Sequence, residues 1–483
     1  MPLMGSCATL TGTMKQTMNG IGASGGWWPK DISLFPDSVR QNISQLLFNQ
    51  NTGLGITDYR YNLGGGGVGV TTWARAPETP YISDGNYNWG ADAAGTYFLR
   101  AAAQFGVPQI TLFVNSAPTT FTSNGRNCGG TLITSRISAY ATYLTDVVKY
   151  WKSQGVTITH VSPMNEPDNS FGSGSNCGQE GMIVQPSQRA QVVTAVATAL
   201  RNAGLSTKVI ADESSTVSQF NSEASQWLTS SIGASLGGVA HHQYGFASTN
   251  DQSSLGSTVQ SRTGGNVAPW FTEICCFKEA DSSQASNPLA TLTYGQQFDP
   301  TMVSGLRMAS LIDQSLSYSE DAHWDWWVAL SSGIGCTPKT TSGCATNVNN
   351  QGWNDGLIYY DTNYQSTHDY TLYLTKRYTV LRHYAKAAPI GAVRRLVSNV
   401  EGNWRIQAFD LNGRLYSVVA FLGQQSSGSL TLSTDGSFTL TQPSRAFRSS
   451  PSEDYVQVSA PSLSGGKLTV NAPAMSIYTF FFQ

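Results

Sequence analysis

Two glutamates stand where acid chemistry could be done. Glu166 lies in Asn165-Glu166-Pro167, which closes the apolar run Ile158–Met164. Glu273 closes Pro269-Trp270-Phe271-Thr272 in the same way. A carboxylate at the mouth of a strand is anchored by backbone on one side and open to a ligand on the other. Two of them are the minimum for breaking a glycosidic bond: one protonates the leaving oxygen, and the other attacks the anomeric carbon or activates a water. Carboxyls about 5–5.5 Å apart give retention, and about 6.5–9.5 Å gives inversion.

The elements that must hold these residues alternate two patterns. Short β-branched or aromatic runs predict strands at Gly20–Ser24, Thr57–Leu63, Gln109–Asn115, His160–Asn165, Lys208–Glu213, Val239–Tyr244, Trp270–Cys275 and Ala322–Val328. Helical periodicity predicts helices between them, among others at Ser135–Gln154, Ser187–Ala203, Ser222–Ile232, Met302–Tyr318 and Asp369–Ala385. Strand followed by helix, repeated through the run, predicts a parallel (β/α)8 barrel over residues 15–387. A doubly wound open sheet fits worse, because no Gly-rich phosphate loop opens the first helix. After Ala388 short strands alternate with Gly, Ser and Asp turns. This predicts an antiparallel β-sandwich over 388–483, with residues 1–14 as a possible extra strand. With no linker between them, the two parts are expected to make a rigid contact.

Barrel ligands bind at the carboxyl ends of the strands. Those ends present Arg60 and Asn62, Asn115, Asn165 and Glu166, Asp212 and Glu213, His241 to Tyr244, Glu273, and finally Trp324 to Trp327. Polar groups with interspersed rings suit sugars, which have hydroxyl edges and apolar C–H faces. Three strand–helix units of roughly thirty residues separate the fourth strand from the seventh, so Glu166 and Glu273 are expected to face each other. Glu166 is then the acid/base and Glu273 the nucleophile. Asn165 bonds the sugar 2-hydroxyl, while Tyr244 and Arg60 support an ionised Glu273. Asn115 and one inward histidine, His242, are expected to bind substrate, and Trp324 and Trp326 to serve as sugar platforms. Asp212 and Glu213 form a rival pair, read more simply as support or as a helix N-cap before Ser214-Ser215. The run Gly64–Gly67 lacks the Gly-Lys-Ser/Thr of a phosphate loop and reads as a tight turn beside a cleft.

The remaining composition bounds the partners. The 483 residues carry 28 Lys and Arg against 30 Asp and Glu, which leaves no basic stripe for nucleic acid. No apolar run is long enough for a membrane span. The seven cysteines form no zinc spacing, so neither metal nor cofactor is expected. Cys128 can bridge Cys177, and Cys336 can pair with Cys344 or with Cys275-Cys276; an odd count leaves one thiol over. Met1–Cys7 has no signal-peptide pattern, so a removed signal or a non-native start is expected of a secreted protein. The expected partner is a polysaccharide, met by a monomer.

With these residues assembled, the chain resembles glycoside hydrolase family 30. The segments that carry the resemblance are Gln16–Gly25, Tyr59–Gly66, Pro163–Pro167, Trp270–Glu273 and Lys376-Arg377-Tyr378. The resemblance implies a (β/α)8 barrel with a side-attached β-sandwich, with Glu166 as acid/base and Glu273 as nucleophile. Gly22–Pro29 and Glu273–Phe277 look most like the fungal endo-β-1,6-galactanases, which act on galactan side chains of arabinogalactan. Xylan-active and β-1,6-glucan-active relatives share the same frame. Family members begin with strands that join the sandwich, and Met1–Met14 matches these poorly, which would leave a sheet edge exposed.

Overall fold

A computed structural model describes residues 5–482. Eight strands close a barrel in chain order: Gly20–Ser24, Asp58–Asn62, Gln109–Phe113, His160–Ser162, Lys208–Ser214, Leu236–His242, Pro269–Glu273 and His323–Trp326. The first three are buried at every position; Gly20–Ser24 and Gln109–Phe113 are mostly apolar, whereas Asp58–Asn62 alternates tyrosines with Asp58, Arg60 and Asn62. Each barrel strand is followed by a helix, from Asp37–Phe48 after the first to Lys376–Ala387 after the eighth.

The helix starts are local chemistry. Asp92, Thr216, Ser248 and Thr301 each accept a backbone N–H from the first turn of the helix they precede. Pro186 opens another helix at a position where its missing N–H costs nothing. Two predicted helices shift, the first through its cap and the second through a strand that precedes it. The one expected at Ser222–Ile232 begins at Val217, capped by Thr216, and stops at Trp227; a separate turn, Ser230–Gly233, is capped by Thr229. The one expected at Asp369–Ala385 runs over Lys376–Ala387, because Tyr373–Leu374 pairs with Ile358–Tyr359 as a strand.

A ten-stranded sheet makes up the other β layer system. Its order is Glu453–Val458, Arg445–Ser450, Ser476–Phe481, Arg414–Leu422, Trp404–Leu411, Val393–Ser398, Ser6–Thr17, Gly428–Thr434, Lys467–Ala472 and Leu463–Ser464. Its core gathers Ala8, Leu10, Trp404, Val418, Leu430, Leu468 and Phe480. Ser6–Thr17 is paired on both sides, antiparallel to Val393–Ser398 and parallel to Gly428–Thr434. The expected bare edge is therefore filled, and the sheet is not purely antiparallel. Val393–Ser398 and Arg445–Ser450 were not expected as strands; each is only partly alternating and rich in arginine.

The described chain falls into two compact units. One holds Gly22–Ile274 and His323–Ala329; the other holds the chain up to Ile21, Cys275–Ala322 and Leu330 onward. The expected boundary at 388 thus cuts through the second unit. Helices Met302–Gln314 and Lys376–Ala387 belong with the sheet: Gln407 Nε2 donates to Asp313 Oδ1 at 2.7 Å, and Ser417 Oγ donates to the Ala387 carbonyl at 2.6 Å. Three disulfides join Cys128 to Cys177, Cys275 to Cys276 and Cys336 to Cys344, and leave Cys7 free and exposed.

Candidate active site

The carboxyl ends of strands two, four, five, six and seven place five charged side chains in one buried cluster: Arg60, Glu166, Glu213, His242 and Glu273. Strand geometry aims them. The register between strands five and six slips between Asp212 and Ser214, and between strands six and seven at His241 and His242. Such irregularities turn a side chain off the normal alternation. Glu166 and Glu213 both take left-handed backbone, with φ of 41° and 65°. For a non-glycine residue this costs on the order of 1–3 kcal/mol and persists only where neighbours hold it. Here the Glu166 N–H donates to the Glu213 carbonyl at 3.0 Å, tying the two glutamates to each other.

Arg60 organises one side. Its guanidinium donates to Glu273 Oε2 at 2.5 Å and to Asn165 Oδ1 at 2.8 Å, sits 3.4 Å from Glu213 Oε1, and lies over the Phe113 ring at 3.8 Å. A planar fork fits these three partners where a lysine ammonium would not. Tyr244 donates its hydroxyl to Glu273 Oε1 at 2.8 Å. Asn115 Nδ2 donates to Asn62 Oδ1 at 3.3 Å.

His242 organises the other side. Nδ1 lies 3.1 Å from Glu166 Oε1, and Nε2 lies 2.9 Å from Glu213 Oε2; Nδ1 is also 3.8 Å from Glu273 Oε1. Both ring nitrogens thus face carboxylate oxygens, and both can donate only in the imidazolium form. Burial pulls the imidazole down, but Glu273, Glu166 and Glu213 outweigh it and push it up to about 10. Burial raises the Glu166 carboxyl above its usual range, and the Glu273 charge adds to this, while the hydrogen bond from His242 works against it. Burial pulls Glu213 the same way, yet Arg60, His242 and Thr272 hold it well below the usual carboxylate range.

Within this cluster one oxygen of Glu166, one of Glu273 and a ring nitrogen of His242 lie within 4.8 Å of one another. A second buried group, Asp58, His323 and Asp325, is equally tight and sits on strands two and eight. In both groups the shortest contacts are imidazole nitrogen to carboxylate oxygen, 3.1 Å for His242–Glu166 and 2.8 Å for His323–Asp325. The first is a hydrogen bond and the second an ion-pair separation, and both suit an imidazolium facing a carboxylate. Either trio has the donor types a cation accepts.

Of the residues expected to contact substrate, Arg60, Asn165, Glu166, His242, Tyr244 and Glu273 meet in the cluster, while Asn115 bonds Asn62. Trp324 and Trp326 do not. On the eighth strand His323 and Asp325 share one face, and the tryptophans share the other, where Trp324 stacks on Phe271 at 5.4 Å and on Trp326 at 6.1 Å. Both are fully buried, and the stacking places Trp324 against rings on the face opposite His323 and Asp325. Trp327 falls on the parity of His323 and Asp325, edge-on to the half-buried Trp27 at 4.8 Å. Period-two alternation through His323-Trp324-Asp325-Trp326-Trp327 carries that signal once the inward face is known.

Sequence reasoning underweighted Glu213. It is not the N-cap of the following helix, since Thr216 is. Its neighbour Asp212 points elsewhere, to Arg189 Nη1 at 2.6 Å. Glu180 was missed altogether. This buried carboxyl accepts the backbone N–H of Gly67 at 2.8 Å and of Gly65 at 3.1 Å, so the glycine turn after strand two closes on a side chain of the protein itself. Burial pushes Glu180 up to about 8 despite those bonds.

The model of O-glycosyl hydrolase family 30 matches residues 8–249, just over half of the chain. The chain belongs to that family. Solved structures agree over nearly the whole length. The catalytic domain of a family 30 xylanase C from Talaromyces cellulolyticus superposes with a TM-score of 0.74 at 21% identity, covering 99% of this chain and 100% of that one. A conserved exported protein from Bacteroides fragilis gives 0.79 at 18% identity, covering 98% and 99%. An endo-β1,6-glucanase gives 0.70 at 17% identity, covering 99% and 93%. At these identities the likeness concerns the fold, a (β/α)8 barrel with a β-sandwich. Family membership makes the protein an O-glycoside hydrolase.

Proposed function

We propose that the protein is a secreted, retaining endo-β-1,6-galactanase that trims the galactan side chains of arabinogalactan. The observation that supports the mechanism is that one oxygen of Glu166 and one of Glu273 lie within 4.8 Å of each other in one cluster, an approach that favours the closer spacing of retaining enzymes. Glu273, fed by donors from Arg60 and Tyr244, attacks the anomeric carbon from one face. Glu166, whose buried carboxyl keeps its proton to higher pH, protonates the leaving oxygen and then deprotonates the water that cleaves the glycosyl ester. Asn165, oriented by Arg60, is placed to bond the sugar 2-hydroxyl.

The galactan assignment rests on the segments Gly22–Pro29 and Glu273–Phe277. Xylan and β-1,6-glucan form the second reading, favoured by the names of the structural neighbours. Three disulfides suit an oxidising compartment and support secretion. The test is incubation with de-arabinosylated arabinogalactan, xylan, pustulan and β-1,3-glucan, with product sizing and NMR of the first-formed anomer. Galacto-oligosaccharides of mixed length released as the β-anomer are expected. Cleavage of xylan or pustulan alone would move the substrate, and an α-anomer would overturn retention.

A further inference from the structure

The reaction uses two carboxylates, yet the cluster holds three. Glu213 is fully buried, and no step of the chemistry needs it to touch the sugar. Its oxygens are directed at the two cations instead: Oε2 to His242 Nε2 at 2.9 Å and Oε1 to Arg60 Nη2 at 3.4 Å, with the Thr272 hydroxyl donating to Oε2. We propose that Glu213 is a positioning residue whose permanent negative charge keeps the Arg60–His242–Glu166–Glu273 cluster neutral through both half-reactions. This rests on the double-displacement reading above.

The charge count supports this. At rest Arg60 and the His242 imidazolium supply two positive charges, Glu213 and Glu273 supply two negative ones, and Glu166 is a neutral acid. In glycosylation an oxygen of Glu273 bonds to the anomeric carbon as the bond to the leaving oxygen breaks. The Glu166 proton goes to that oxygen. Glu273 is now a neutral ester and Glu166 an anion, so the sum stays at zero. Water then returns a proton to Glu166, and its oxygen takes the sugar as the ester bond breaks. Without Glu213 both states would carry a net positive charge in a buried site, where an uncompensated charge is costly.

The groups facing His242 come from three elements besides its own strand: Glu166 after strand four, Glu213 on strand five and Glu273 on strand seven, with the Tyr244 ring 6.0 Å away. Asp168 acts on Glu166, and Asp325 on Arg60, through their charge. Removing the Glu213 charge makes this environment more positive. The Glu166–His242 pair then sheds its proton at lower pH, whichever group gives it up. Removing the His242 charge does the reverse to Glu166.

The experiment measures kcat/KM against pH on the preferred polysaccharide and on a dinitrophenyl glycoside of the same sugar, whose leaving group needs no proton. For Glu213→Gln the alkaline limb on the polysaccharide is expected to move down by about one to two pH units. Glu213→Asp should restore it, and His242→Asn should move it up. The dinitrophenyl substrate should show little of either shift. An alkaline limb unmoved in Glu213→Gln, or moved the same way in His242→Asn, overturns the proposal, as does loss in Glu213→Gln that is equal on both substrates at every pH. Glu166→Gln and Glu273→Gln serve as the control arm. Full activity in either of these sinks the parent reading, and this inference with it.

Discussion

His242 and His383 are both fully buried, and their surroundings send them in opposite directions. His383, on the helix Lys376–Ala387, hydrogen-bonds Thr479 Oγ1 at 2.7 Å and Ser449 Oγ at 2.9 Å. Among hydroxyls burial wins, with Arg382 adding to it, and pulls the imidazole down to about 3. His242 lies among carboxylates and is pushed up to about 10. The arginines repeat the contrast. Arg377 donates to the carbonyls of Asp299 and Gly356, the amide oxygen of Asn354 and the hydroxyls of Ser304 and Tyr359. Arg60 donates to Glu273 and Asn165 and faces Glu213. One region uses its buried cation to brace backbone; the other uses its cations to hold a set of protons. Burial supplies the same penalty in both, and the partners decide whether the result is scaffold or chemistry.

The comparison breaks most sharply at the carboxylates. Glu273→Gln should reduce turnover of the polysaccharide to background with the melting temperature kept, and Glu166→Gln should reduce it by about 100- to 10,000-fold. Wild-type rates in either would show that the charged region is scaffold too. Arg377→Lys should act on stability: a buried fork replaced by a point charge leaves acceptors unpaired and costs about 3 kcal/mol, read by denaturant unfolding, with kcat/KM per folded molecule unchanged.

A smaller effect follows from linkage. The folded pKa of His383 lies below its unfolded value of about 6.5, so the unfolded chain takes a proton that the fold refuses. Stability is lost as pH falls from about 6.5 toward 3, by about 2 kcal/mol between pH 6.5 and 5. His383→Gln should flatten that part of the stability profile. His242 has the opposite sign: its folded value of about 10 lies above the unfolded one, so its contribution is present below about 6.5 and is lost as pH rises through 10. The smallest change is expected from Trp324→Phe. It should lower stability by about 1–2 kcal/mol through lost packing and leave KM alone. A raised KM would return Trp324 to the substrate face.

Much of this protein was legible before any coordinates. All eight barrel strands lie where short β-branched or aromatic runs place them, because strands covered on both faces are mostly apolar; Asp58–Asn62, which alternates tyrosine with charged and polar residues, is the exception. The glutamates followed from the same logic, since a barrel puts its chemistry at strand ends. Tertiary structure alone decided the rest. Periodicity shows that Trp324 and Trp326 share a face but not which face looks inward. Ser6–Thr17 has little pattern of its own, and only its two partners, both beyond residue 390, make it a strand. The state of His242 and the place of Glu213 depend on charges brought together from five strands. Local sequence records the type of each group, whereas a pKa depends on the distances between them, and those exist only once the barrel has closed.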